Sequence, residues 1–117
     1  MLRLWRATIN TRNGLAFAIR SEQAVREELL ALASSLPLAW LVGATLMRRV
    51  ELVAAVAFVL VVELLNTAIE KLADRLTREI DPQIRDVKDM GSAAVLAALV
   101  IAGATWLFAL AERVGLL

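Results

Sequence analysis

Glu63-Leu64-Leu65-Asn66-Thr67-Ala68-Ile69-Glu70 sets two carboxylates and an amide inside an apolar run that otherwise has the composition of a membrane span. On a helix, Asn66 and Thr67 follow Glu63 by three and four residues and Glu70 by seven, so all four project from one face. At 1.5 Å per residue that face is roughly 10 Å long. Ionisable groups at membrane depth are costly and usually face a protein interior or a water-filled site. The stretch Leu52 to Val62 offers Glu63 no neutralising Lys or Arg. A functional acid therefore outweighs a structural one here.

Working outward, the charges of the chain are not scattered. The 117 residues are 60% hydrophobic, yet 13 are Lys or Arg and 12 are Asp or Glu. Leu29 to Met47 and Met90 to Ala111 carry no charge, and Leu52 to Ile69 carries only Glu63. With about 20 apolar residues needed per span, this predicts one domain, 1–117, an all-α membrane protein with three transmembrane helices over about 29–47, 50–70 and 90–112. Before them, Leu2, Trp5 and Ile9 share a helical face with Arg3, Arg6 and Asn10 around it. Residues 2–20 or so are expected to form an amphipathic surface helix with its arginines toward lipid phosphates, interrupted at Gly14. No apolar signal-peptide core follows Arg3 and Arg6, so none is expected.

Ser21 is the expected N-cap of the helix entering the first span, with Glu22 in its first turn. Pro37 should bend that span or need repair by neighbours. Met47 to Glu51 reads as a charged turn, Thr77 to Asp86 as a polar loop, and the third span as starting near Val87. Ten Lys and Arg lie in residues 1–28 and 71–88, against Arg48, Arg49 and Arg113 elsewhere. The bias predicts a cytoplasmic N-terminus and second loop.

Composition also narrows the chemistry. A net charge of +1 gives no sign of nucleic acid as a partner. There is no Cys, His or Tyr, which excludes disulfides and leaves Asp, Glu or Lys for acid–base work. No phosphate-binding glycine loop of the G-x-x-x-x-G-K-[ST] type is present. Phosphoryl transfer would have to rely on carboxylates, Mg²⁺, Lys and Arg, which suffices where positioning and charge stabilisation do the catalysis. Glu22 and Glu70 could jointly hold Mg²⁺. Lys88, expected near a helix N-terminus, could hold a phosphate by charge and free backbone N–H groups. Blander readings stand beside these: Glu22 as a helix-start acid, Lys88-Asp89 as a solvated helix end, Asn66 and Thr67 as glue between helices.

Two motifs then carry a resemblance. Glu63-Leu-Leu-Asn-Thr-Ala-Ile-Glu70 with Asp74, followed by Lys88-Asp89-Met-Gly-Ser-Ala-Ala-Val95, resembles the signature of the prokaryotic diacylglycerol kinases, small three-span membrane enzymes that form trimers. Arg3, Gly14-Leu15 and Glu22-x-x-x-Arg26-x-Glu28 fit the same pattern, so the resemblance covers nearly the whole chain. It implies transfer of the ATP γ-phosphate to diacylglycerol, giving phosphatidic acid, at the cytoplasmic side of the bacterial inner membrane. It implies Glu63 as general base, Asn66 orienting the base or the lipid hydroxyl, and Glu22 and Glu70 as ligands of Mg²⁺. Arg3, Lys88 and Asp89, with Glu79 and Asp81 of the polar loop, would contact ATP. Arg26, Glu28, Ser92 and Trp106 would line the lipid side with Glu63. A homotrimeric bundle with shared active sites is implied too; three spans alone leave a face uncovered, but the number three comes only from the resemblance. The chain departs from the family at Val25, where Phe is usual, at Val87, where Ala is usual, and in the loop, where Asp81-Pro82 stands and no His. Undecaprenol kinase remains an alternative, as does a small proton-coupled transporter using Glu63 alone.

Overall fold

A computed structural model describes residues 1–117 as four helices: α1 (Leu2–Ser21), α2 (Gln23–Val42), α3 (Leu46–Leu76) and α4 (Pro82–Arg113). α3 is the spine. α4 packs antiparallel along it, α2 packs on another side, and α1 meets α2 near the hinge that joins them. Four pairings set the register of α3 on α4: Asp74 with Lys88, Asn66 with Gly91, Leu52 with Trp106, and Arg48 with Glu112.

Small side chains make that packing close. Ala55 and Val59 of α3 meet Ala98 and Ala102 of α4, and Leu52 meets Ala39 and Ala109. Where lipid replaces water, helix association depends on such van der Waals contact rather than on the hydrophobic effect. Trp106 Nε1 donates to the Leu52 carbonyl at 3.1 Å, which adds about 0.5–1.5 kcal/mol net. At the same end Arg48 grips Glu112 through Nε and Nη2, at 3.1 and 3.3 Å, and Glu51 at 2.6 Å.

Only 15 of the 117 residues are buried, and Leu65, Leu96, Val100 and Leu107 stand exposed. So apolar a surface needs lipid or further helices over it. α3 and α4 are each long and apolar enough to cross a membrane. α2 has the shorter apolar stretch, so two of the three expected spans meet the length and composition of a full crossing. Arg26, Glu27 and Glu28 occupy its first turns. Its apolar run from Leu29 to Val42 covers about 21 Å at 1.5 Å per residue, against roughly 30 Å of hydrocarbon core.

Several boundaries also move. The charge-free stretch 29–47 is not one helix: Gly43 ends α2, and Thr45 caps α3 by accepting from Arg48 N at 3.1 Å. The expected turn Met47 to Glu51 is therefore the first part of α3. α1 runs through Gly14 unbroken, and α2 runs through Pro37. Ser21 is the last residue of α1 rather than a cap. Glu22, extended at φ −127° and ψ 118°, alone separates α1 from α2. Arg26 Nη1 donates to the carbonyls of Ile19 and Arg20, at 2.7 and 3.3 Å. It thereby satisfies acceptors that the end of α1 leaves open.

The largest shift is at α4. The loop expected over Thr77 to Asp86 is only 77–81, because Asp81 accepts from Gln83 N and Ile84 N and Pro82 takes the first helical position. A side-chain oxygen at the cap and a Pro after it both favour a helix start.

Candidate active site

The face that Glu63 to Glu70 presents survives in the structure, with its parts paired differently from expectation. Thr67 Oγ1 donates to Glu63 Oε1 at 3.4 Å, and Asn66 Nδ2 donates to Glu70 Oε1 at 3.3 Å. Asn66 therefore steadies Glu70, and Thr67 is the hydroxyl beside Glu63. Both Asn66 and Thr67 are buried, whereas Glu63 and Glu70 are partly open. Glu28 of α2 and Glu22 of the α1–α2 hinge are the further acids expected at the site, and Glu22 is tied to α3 through Lys71.

Glu28 sits on the polar turns that precede the apolar run of α2. Burial, with the like charge of Glu27 second, raises its carboxyl above the usual range. Glu22 pairs with Lys71 Nζ at 2.8 Å, and Lys71 also lies 5.1 Å above the Phe17 ring. One cation therefore ties the hinge and the last turns of α1 to α3. Sequence reasoning missed Lys71, although it lies four residues after Thr67 and hence on the same face.

A second group forms where α3 hands over to α4. Glu79, Asp81, Lys88 and Asp89 line one polar cavity of about 210 Å³, together with Arg78 and Arg85, which sequence reasoning passed over. Lys88 is not at a helix start; it lies in the second turn of α4, and its ammonium rests 2.5 Å from Asp74 Oδ1. The free N–H groups of α4 are further back, at Gln83 and Ile84, and Asp81 already occupies them. Lys88 offers a phosphate its charge and no helix-end amides. Asp74, beyond the apolar stretch of α3, has its carboxyl held below the usual range first by that bond to Lys88.

Two expected residues lie far from either group, and a third is engaged by backbone carbonyls at the hinge. Arg3 is exposed near the start of α1, roughly 28 Å from Glu22 at 1.5 Å per residue. Trp106 lies near the far end of α4, about 21 Å from Ser92 by the same rise, and holds the Leu52 carbonyl. Arg26 is spent on the carbonyls of α1. Ser92 is exposed on α4, next to Gly91, which packs on Asn66.

No three His, Cys, Asp or Glu side chains converge into a closed cage. Of the two carboxylates expected to hold magnesium, Glu22 pairs with Lys71 Nζ, which ties it to α3, and Glu70 accepts from Asn66 Nδ2. Magnesium is commonly held by one or two carboxylates completed by phosphate oxygens and water, so a hard cation held here would need substrate oxygens to complete its shell. Next to Thr67, a cleft of about 600 Å³ opens between α1 and α3, walled by Gly14, Phe17, Leu60, Leu64 and Lys71.

Fold and site together define an all-α protein with helices apolar enough to span a membrane and an acidic face let into one of them. The chain belongs to the prokaryotic diacylglycerol kinase family, whose profile matches residues 10–110, and is thus a phosphotransferase. It is 38% identical over 104 residues to the diacylglycerol kinase of Pseudomonas aeruginosa, covering 89% of this chain and 85% of that one. To the Escherichia coli K12 diacylglycerol kinase it is 38% identical over 102 residues, 87% and 84% of the two chains. The Haemophilus influenzae diacylglycerol kinase is 36% identical over 93 residues, 80% and 79% of the two chains. Membership of a kinase family sets aside the transporter.

Proposed function

We propose that the protein transfers the γ-phosphate of ATP to the free hydroxyl of diacylglycerol, giving phosphatidic acid and ADP, at the cytoplasmic face of a bacterial inner membrane. The observation that carries this reading is the single face of α3 on which Glu63 lies within the apolar stretch and Glu70 two turns nearer the polar cavity. An acid that must meet a lipid hydroxyl and a carboxylate that must meet a water-borne nucleotide are thereby held at a set separation. The relatives are named diacylglycerol kinases, which supports the choice of lipid.

In the mechanism, Glu63 takes the proton of the acceptor hydroxyl as its oxygen bonds to the γ-phosphorus. The bond from that phosphorus to the β–γ bridging oxygen breaks, and ADP departs with the electron pair. Glu22 and Glu70 would hold Mg²⁺, which supplies charge neutralisation at the phosphate oxygens. Lys88, with Asp89, Glu79 and Asp81 around it, faces the nucleotide. Thr67 holds Glu63, and Asn66 holds Glu70. The cleft between α1 and α3 receives the acyl chains, with Glu28 and Ser92 toward the lipid. α1 lies on the membrane surface and α2 forms the third, short span. Arg3 and Trp106, distant within one chain, would serve a site of another subunit in a homotrimer.

The test is transfer of label from γ-labelled ATP in detergent–lipid micelles with Mg²⁺, offering diacylglycerol or undecaprenol. Label in phosphatidic acid, reduced about 10²–10⁴-fold by Glu63→Gln, is the expected result. Label in undecaprenyl phosphate instead would keep the mechanism and change the substrate. No label in either lipid, from folded protein, would end the proposal.

A further inference from the structure

Asn66 is 8% exposed, yet its Oδ1 has no hydrogen-bond partner. A buried amide oxygen left unpaired needs a reason. The two ends of this amide face different elements: Nδ2 points along α3 to Glu70, and Oδ1 points across to Gly91 of α4. Turning the amide over would set its oxygen against a carboxylate, so the hydrogen-bond network decides the orientation. The Cα–H of Gly91 then meets Oδ1 as a weak donor.

A side chain at Gly91 would force Asn66 to move. A Cβ added to it would collide with Asn66 Oδ1 and stand 3.2 Å from Cγ. Gly103, on the same helix, has nothing within 4 Å of the equivalent position, so the constraint belongs to this crossing and not to α4 at large. The amide group is planar and rigid. Anything that pushes Oδ1 off Gly91 carries Nδ2 away from Glu70.

We propose that Gly91 is a positioning residue for the metal–nucleotide site: by lacking a side chain it seats Asn66 against α4, and Asn66 so seated aims the Glu70 carboxylate. This rests on Glu70 being a metal ligand. Partners that orient a metal ligand typically contribute 10–100-fold to metal affinity when intact.

The experiment measures Mn²⁺ binding by electron paramagnetic resonance, with the full chain in lipid micelles and a non-hydrolysable ATP analogue. Gly91→Ala is expected to weaken Mn²⁺ binding on the order of tenfold with unchanged helix content, and Asn66→Ala to do the same. Combining the two should match Asn66→Ala alone, because the added methyl then has no amide to displace. Should Gly91→Ala alone fail to fold, the double variant, freed of the collision, carries the same comparison. Wild-type affinity in Gly91→Ala, with binding lost in Glu70→Gln, would overturn the proposal and leave Glu70 as ligand. Additive losses in the double variant would also overturn it. Wild-type affinity in Glu70→Gln would remove the ligand assignment itself and the proposal with it.

Discussion

Lys88 Nζ lies 2.5 Å from Asp74 Oδ1, so the second turn of α4 is tied to the last turns of α3 beside the polar cavity. Both side chains remain partly open to solvent, and the pair aims the ammonium more than it holds the helices together. Lys88→Met should lower kcat on the order of 10²-fold or more, as loss of a charge aimed at the transferring phosphate does. Asp74→Asn leaves the ammonium in place and should cost less. Initial rates of phosphate transfer over a range of ATP concentrations check both; equal losses would mean that Asp74 itself meets the nucleotide.

Trp106 separates a packing role from a lipid role. Trp106→Phe removes the bond to the Leu52 carbonyl and keeps the ring. It should cost about 0.5–1.5 kcal/mol of stability. Within one chain it is too far from Ser92 to affect lipid binding, so an unchanged lipid KM beside a lowered unfolding midpoint is expected. A raised lipid KM would place Trp106 against substrate in a neighbouring subunit.

Two glycines should respond in opposite directions. A methyl at Gly43 would meet Arg49 and the Ala39 carbonyl, so Gly43→Ala should destabilise by about 1–3 kcal/mol. Gly14 has open space around it in the middle of α1, and Gly14→Ala should stabilise by about 0.5–1 kcal/mol. Denaturation of both variants in mixed micelles gives the comparison.

Glu28 predicts a pH dependence. Its carboxyl, raised chiefly by burial, is easier to keep protonated in the folded chain than in the unfolded one. That contribution is fully present below the unfolded value of about 4.3 and fades as pH rises through the folded value. Glu28→Gln should abolish the fading, so the stability of the variant relative to wild type should grow from pH 4 to pH 7. Unfolding midpoints across that range are the measurement. A constant difference would mean that Glu28 keeps its ordinary ionisation.

Much of the site was legible because helical periodicity is local: Glu63, Asn66, Thr67 and Glu70 share a face whatever packs against it. The start of α4 was legible in principle and misread in practice. Asp81-Pro82 is a strong helix-start signal, but Arg85, Asp86 and Lys88 have the polarity of a loop. Polarity reports whether a segment meets water, not whether its backbone is helical. The same confusion hid the first turns of α3 at Arg48 and Arg49.

By itself the sequence determined the helical class, the apolar lengths of α3 and α4, and the acid set within α3, since charge spacing and apolar run length fall within a single segment. The tertiary structure alone decided which partner each polar group received. Asn66 went to Glu70, Thr67 to Glu63, Lys88 to Asp74, and Lys71 to Glu22. The first two are i,i+4 pairs within α3; the other two join different parts of the chain and depend on how α4 and the α1–α2 hinge lie against α3. The contact of Asn66 with Gly91 depends on it most. That register comes from small side chains meeting across the whole length of two helices, a property no single stretch of sequence contains.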